Sequence, residues 1–256
     1  MPSETNKILI LKWGALGDLI AAIPAINKIV KSFPYSEIDI VSNSLFKELF
    51  PPGKSFYKNF FDFTESKIKL FQKIRDRKYD LVINLKWTSE GAAWITLLSG
   101  AKLRAGSGPE SLRFVYNLKS PYRKGRYHEI LRNFEIVKGI GNEDEKIEFI
   151  PYIYDCASEK IKSFYDSEKI KQGFTIGVHP GASKKSKRWA SGRFAEVIKR
   201  LVYIYDINFI VFYGKEEYDD AAFIVNSVGS HKVMLNPSTA SLSDLIFSIS
   251  KCDLFF

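Results

Sequence analysis

The chain has two cysteines, Cys156 and Cys252, three histidines, His128, His179 and His231, and no apolar run near the ~20 residues that a membrane span needs. Cysteines so few and so far apart exclude a disulfide scaffold and point to a reducing, cytoplasmic setting. The histidines and cysteines lack clustered metal-ligand spacing, so no structural zinc is expected. Zinc-finger spacing, an RNP aromatic signature and a helix-turn-helix pattern are missing too, which argues against nucleic acid as a partner. The absence of a P-loop lysine pattern and of a G-x-S-x-G turn argues against NTPases and α/β-hydrolases. Lys12 and Asp18 break the N-terminal apolar stretch, which reads as strand, turn and helix rather than as a secretory signal.

What remains is an ordinary globular composition, 45% apolar, 14% aromatic and 26% charged, enough to build a substantial core across 256 residues, with two domains as the natural division. Thirty-eight basic against 29 acidic residues give a net charge of +9. That surplus favours an anionic partner: a phosphorylated substrate, an acidic lipid surface or nucleic acid.

The most informative segment is Gly14-Ala-Leu-Gly-Asp18. It follows a short apolar strand, Lys7 to Lys12, and precedes Leu19, Ile20, Ile23, Ile26, Ile29 and Val30 at helical spacing, so the period changes across the glycines. Glycine lets the backbone turn tightly and approach a bound molecule. The carboxylate of Asp18 is thereby expected at the carboxyl end of the first strand of a parallel sheet, where open α/β folds bind ligands. The pattern is G-x-x-G rather than the dinucleotide fingerprint G-x-G-x-x-G. Two readings of Asp18 stand side by side: a ligand-facing acid, or a first-turn acid that complements the helix dipole.

Further strands are expected at Glu37 to Val41, Tyr79 to Leu85 and Lys102 to Gly106, with helices through Ala92 to Leu98 and His128 to Gly139. Pro51 to Phe63 is rich in phenylalanine and tyrosine, and reads as a loop or a partly exposed helix. Asn142 to Lys146 is a charged turn, and Pro151 to Lys171 a polar and aromatic stretch with helical tendency. The series restarts as strand Thr175 to His179, helix Ser191 to Tyr205, strand Asn208 to Tyr213, helix Tyr218 to Val228, strand Lys232 to Leu235 and helix Ser241 to Cys252. The last helix opens with the S-x-x-D signature of Ser241 and Asp244. The fold class is α/β with two Rossmann-like domains: residues 1–155, a linker at 156–172, and residues 173–256. Asp253 to Phe256 reads as another buried strand with nothing after it, so the second domain is expected to be incomplete.

A second chemical signal is His179-Pro-Gly-Ala-Ser-Lys-Lys-Ser-Lys-Arg-Trp189. Ser183 and Ser186 lie among Lys184, Lys185, Lys187 and Arg188, between a strand and a helix. Hydroxyls, cations and helix-start amides suit a phosphate or diphosphate, and such a loop is expected to face the Gly14–Asp18 turn across an interdomain cleft. The alternative is a solvated lysine-rich loop. Glu216 and Glu217 follow Gly214 after a strand, placed either to meet ribose hydroxyls or to serve as solvated helix-start acids.

Ile8 to Ile20 with Pro24-Ala25, Arg104-Ala-Gly106, His128-Glu-Ile-Leu-Arg-Asn133, Gly177 to Ser183 and Ser186-Lys-Arg-Trp189 together resemble glycosyltransferase family 9, the bacterial ADP-heptose:lipopolysaccharide heptosyltransferases. The resemblance implies a glycosyltransferase B fold, with the acceptor on the N-terminal domain and the sugar nucleotide mainly on the C-terminal one. It implies an inverting, metal-independent transfer from ADP-L-glycero-D-manno-heptose to a lipopolysaccharide core sugar or another anionic glycolipid, with no cofactor and with peripheral contact to the inner membrane. By position, Asp18 matches the family's catalytic base, flanked by Gly14 and Gly17 on the acceptor-side loop. Lys187 matches its diphosphate lysine, and Glu217, with Glu216 beside it, its nucleotide-binding acid. The family's D-[ST]-G-P-x-H block, expected beyond a strand like Asp253 to Phe256, is absent from this sequence. A nucleotide-binding module without transfer activity, or a sugar-nucleotide epimerase of similar architecture, are the competing readings.

Overall fold

Ile8, Leu9, Ile10 and Leu11 are all fully buried, so both faces of this strand lie inside the protein. Such a run without polar alternation belongs to a parallel strand covered by helices on both sides. The computed structural model describes residues 5–50, 56–87, 89–120, 128–141, 147, 157–167, 170, 173–182 and 184–256. The turn expected at Asn142 to Lys146 lies outside these residues, as do Cys156 and Ser183. Chain contacts divide the protein into two units, Met1–Tyr152 and Ile153–Phe256.

The first unit contains strands β1 (Lys7–Leu11), β2 (Glu37–Ser42), β3 (Asn59–Asp62), β4 (Leu81–Asn84), β5 (Leu103–Gly106) and β6 (Leu118–Lys119). They pair in the order β3-β2-β1-β4-β5-β6, and every pairing is parallel. This is the doubly wound arrangement, in which the order reverses between β1 and β4 and leaves a crevice outside their carboxyl ends. Helices α1 (Leu16–Ile20), α2 (Ile23–Ser32), α3 (Ser44–Leu49), α4 (Lys67–Arg77), α5 (Glu90–Leu98) and α6 (Glu129–Val137) connect and flank the strands.

The single helix expected from Leu19 to Val30 is instead two, broken at Ala21 and Ala22. Pro24 sits in the first turn of α2 and has no N–H to offer the carbonyl of Ile20, so the helix has to restart. Within the aromatic-rich stretch 51–63, residues 51–55 lie outside the described residues, and β3 occupies the end of it. That strand forms because Asp39 accepts hydrogen bonds from both nitrogens of Asn59, at 3.0 and 2.9 Å, while Phe61 enters the core.

The second unit contains α7 (Glu159–Tyr165), β7 (Phe174–Val178), α8 (Ser191–Ile204), β8 (Ile207–Val211), α9 (Tyr218–Val228), β9 (Val233–Leu235), α10 (Leu242–Ser250) and β10 (Leu254–Phe255). Its sheet runs β10-β7-β8-β9, again parallel throughout. The stretch 156–172, expected as a linker, holds α7. Ile161 and Tyr165 of that helix are buried with Ile210 and Phe212. The closing strand forms as expected and pairs with β7, but it is not buried: Leu254, Phe255 and Phe256 are 51%, 38% and 49% exposed, because β10 is the edge of the sheet among the described residues.

Of the net charge of +9, residues 1–152 carry +7, from 24 basic and 17 acidic side chains. No helix among the described residues is long and apolar enough to cross a membrane.

Candidate functional site

The reversal point of the first sheet brings the Gly14–Asp18 turn, from the end of β1, beside Lys86, from the end of β4. Gly14 has φ +145°, a conformation L side chains rarely adopt, and a Cβ built there would stand 2.9 Å from Asp18 Oδ2 and 3.2 Å from Lys86 Nζ. The two charged atoms are therefore within about 6 Å of each other, since the two distances sum to that bound. Asn43, just beyond β2, donates from Nδ2 to the Gly14 carbonyl at 2.8 Å and pins the turn from the other side. Asp18 lies in the first turn of α1, where an acid complements the helix start, and its carboxylate lies near Lys86. Gly17 lies within α1, and nothing stands within 4 Å of a Cβ placed there.

Beneath the turn is Lys12, 1% exposed. Its ammonium donates to Glu129 Oε1 at 3.1 Å, Asn133 Oδ1 at 3.3 Å and the Leu85 carbonyl at 3.3 Å. Burial is the largest influence on its proton affinity and lowers it; the carboxylates of Glu129 and Asp18 act in the opposite direction. Glu129 also pairs with Arg132, whose guanidinium lies 4.1 Å from the ring centre of Trp87. Lys12 and Lys86 were not singled out as functional candidates from the sequence. The available signal for Lys12 was a cation that ends an apolar strand directly before a glycine turn.

In the second unit, the segment after β7 runs His179-Pro-Gly-Ala182 and continues into a short 3-10 turn, Lys185–Lys187. Ser186 and Lys187 are exposed there, and Lys187 has no ion pair among the described residues. Arg188 turns inward: its Nε donates to the Ala182 carbonyl at 2.8 Å, and its terminal nitrogens reach Glu217 at 3.3 Å and Asp220 at 3.8 Å. Glu217 also accepts from the Gly214 amide at 3.1 Å. A Cβ at Gly181 would stand 2.7 Å from the Glu217 side chain and 2.9 Å from His179 Nε2, so glycine is needed for this close approach. His179 Nδ1 lies 3.3 Å from the Phe212 carbonyl, which only accepts, so Nδ1 carries the proton. Glu217 is thus drawn onto the loop that follows β7, while Glu216 is exposed outside this contact. Arg188, grouped with the loop cations on sequence, is a structural partner of Glu217. Among the described residues no group of three or more His, Cys, Asp or Glu side chains is placed to hold a metal ion.

The sequence profile of Glycosyltransferase family 9 (heptosyltransferase) matches residues 67–256. The fold is similar to that of a glycosyl transferase family 9 protein from Veillonella parvula, with TM-score 0.76 and 18% identity, over 100% of this chain and 75% of that one. It is also similar to ADP-heptose LPS heptosyltransferase II of E. coli, with TM-score 0.67 and 18% identity, over 97% of this chain and 78% of the other. The E. coli heptosyltransferase WaaC, solved with ADP-2-deoxy-2-fluoro heptose, aligns with TM-score 0.71 and 16% identity, over 97% of this chain and 81% of its own.

Proposed function

Because the chain belongs to glycosyltransferase family 9, we propose that this glycosyltransferase moves a heptose from an ADP-activated donor onto a lipopolysaccharide core sugar, with inversion at the anomeric carbon. Asp18 is the general base. Inversion requires the acceptor hydroxyl to attack from the face opposite the leaving nucleotide, so the base belongs on the acceptor side, and in this reading the first unit is that side. The observation that carries the assignment is the Asp18 carboxylate folded back onto Gly14 within about 6 Å of the Lys86 ammonium, at the reversal point of the sheet. A carboxylate at the ligand-binding end of the sheet is a group of the kind that takes a proton from an attacking hydroxyl.

Lys187 supplies positive charge to the diphosphate as it leaves, with Ser183 and Ser186 as hydroxyl donors to the phosphates and Glu217, alongside Glu216, toward the nucleotide. The charge of +7 on residues 1–152 suits an anionic glycolipid acceptor and a peripheral approach to the inner membrane. The test is Asp18→Asn assayed with ADP-heptose and a lipopolysaccharide core acceptor. The variant is expected to lose about 10²- to 10⁴-fold in turnover, the usual contribution of a general base, with ADP affinity retained. Unchanged turnover would remove Asp18 from this role.

A further inference from the structure

Lys187 and Arg188 are neighbours in the chain with opposite surroundings. Lys187 is exposed, whereas the Arg188 side chain is 22% exposed and its guanidinium is engaged on several sides. Its Nε donates to the Ala182 carbonyl of the loop at 2.8 Å, Nη2 donates to Glu217 Oε1 at 3.3 Å, and Nη1 lies 3.8 Å from Asp220 Oδ2. The other Asp220 oxygen accepts from the Ser191 hydroxyl at 2.6 Å, at the first residue of α8. One planar fork thereby ties the loop after β7 to the starts of α8 and α9. The compact ammonium of a lysine could not reproduce that geometry.

Glu217 is the residue this arrangement restrains. It directly precedes α9, and its Oε2 accepts from the Gly214 amide at 3.1 Å, a local bond within the same turn. Arg188 adds a restraint from 29 positions earlier in the chain. Without it, a long glutamate side chain would recover rotamer freedom that a ligand would then have to remove. An ionised carboxylate has about four acceptor positions. Arg188 and Gly214 occupy one on each oxygen, which leaves about one on each among the described residues. Two such positions side by side match the two hydroxyls of a vicinal diol, and the Glu217 side chain, 15% exposed, is still open to a ligand.

We propose that Arg188 is a positioning residue for the donor nucleotide: it holds the Glu217 carboxylate with its remaining acceptor positions set for ribose hydroxyls, and so decides how strongly a ribonucleotide is preferred to its 2′-deoxy analogue. Arg188 acts through Glu217 and needs no contact with the nucleotide. This inference rests on the assignment of Glu217 to the nucleotide made above.

The test is calorimetric titration of the full chain with ADP and with 2′-deoxy-ADP. The parent is expected to prefer ADP by about 10- to 100-fold, the scale of one hydrogen bond to a charged group. In Arg188→Met the preference falls to about threefold or less, the scale of a weak, unrestrained contact. Arg188→Lys keeps the charge but lacks the fork, and it too loses most of the preference. General damage to the fold weakens both nucleotides together and leaves their ratio in place, so the ratio separates positioning from stability. A parent-like ratio in folded Arg188→Met, or in Arg188→Lys where the methionine variant fails to fold, overturns the proposal and leaves the role of Glu217 standing. A parent protein that binds the two nucleotides alike, or binds neither, overturns the assignment of Glu217 and this inference with it.

Discussion

Asp244 accepts a hydrogen bond from the backbone N–H of Ser158 at 2.7 Å, joining two points 86 residues apart in the chain. Its second oxygen accepts from the Ala240 amide at 3.0 Å. The Asp244 N–H in turn donates to Ser241 Oγ at 3.1 Å, the cap that the S-x-x-D spacing predicted. Asp244 is thus both a helix-start residue of α10 and the anchor of α7.

A dependence of stability on pH follows. Burial works against the Asp244 carboxylate, but the amide donors outweigh it and hold its proton affinity below the ordinary carboxylate value. A group whose folded-state pKa is depressed stabilises the protein fully above its unfolded value, near ~3.9, and loses that contribution as pH falls through the folded value. Asp244→Asn is therefore expected to cost about 1–3 kcal/mol at pH 7, the scale of a buried charge-assisted hydrogen bond, with the gap to the parent closing below about pH 4. Urea midpoints of both proteins between pH 7 and pH 3 measure this. A gap independent of pH would show that packing rather than charge is responsible.

The two glycines of the first turn should respond in opposite ways. At Gly14 a side chain meets both a positive φ and the Asp18 carboxylate, so Gly14→Ala should lower thermal stability and abolish transfer. Gly17 is within a helix and has open space, so Gly17→Ala should keep or raise stability by about 0.5–1 kcal/mol, through the lower backbone entropy of the unfolded chain. If Gly17→Ala melts normally yet loses activity, the open space above α1 is where substrate approaches. Melting curves and transfer rates on the same samples separate the two effects.

On the donor side, Lys187→Ala should weaken ADP binding about 10- to 100-fold, the worth of one charge-assisted hydrogen bond at 1.4 kcal/mol per decade. Lys199→Ala, on the exposed side of α8, serves as the control for general charge loss and should bind ADP as the parent does. Calorimetric titration reads both. Equal affinity in Lys187→Ala and the parent would remove the diphosphate role.

The reading from sequence was strongest where the physics is local. The change from strand to helical period across Gly14, and again across Gly181, depends on residues within one turn of one another. The strands Lys7–Leu11, Glu37–Ser42 and Phe174–Val178 were accordingly located to within a residue or so at each end. It was weakest for β3, α3 and α4, where short elements take their shape from distant partners. Asp39 is an example: it is fully buried and accepts from Arg77 at 3.0 Å and from the Tyr79 hydroxyl at 2.6 Å, as well as from Asn59. No periodicity announces such an arrangement.

The amino-acid sequence by itself determined that the chain alternates strands and helices, that glycine turns follow β1 and β7, and that an acid and a group of cations stand at those turns. These are properties of neighbouring residues, set by backbone propensity and side-chain period. Only the tertiary structure decided the strand order, and with it that Lys86 comes beside Asp18. It also decided that Lys12 is buried against Glu129 and Asn133, 117 and 121 residues away, and that Arg188 is occupied by Glu217 rather than left for a ligand. Charge and hydrogen bonding act through space over a few ångströms, and which residues come that close is settled by how the sheets pair and the helices pack.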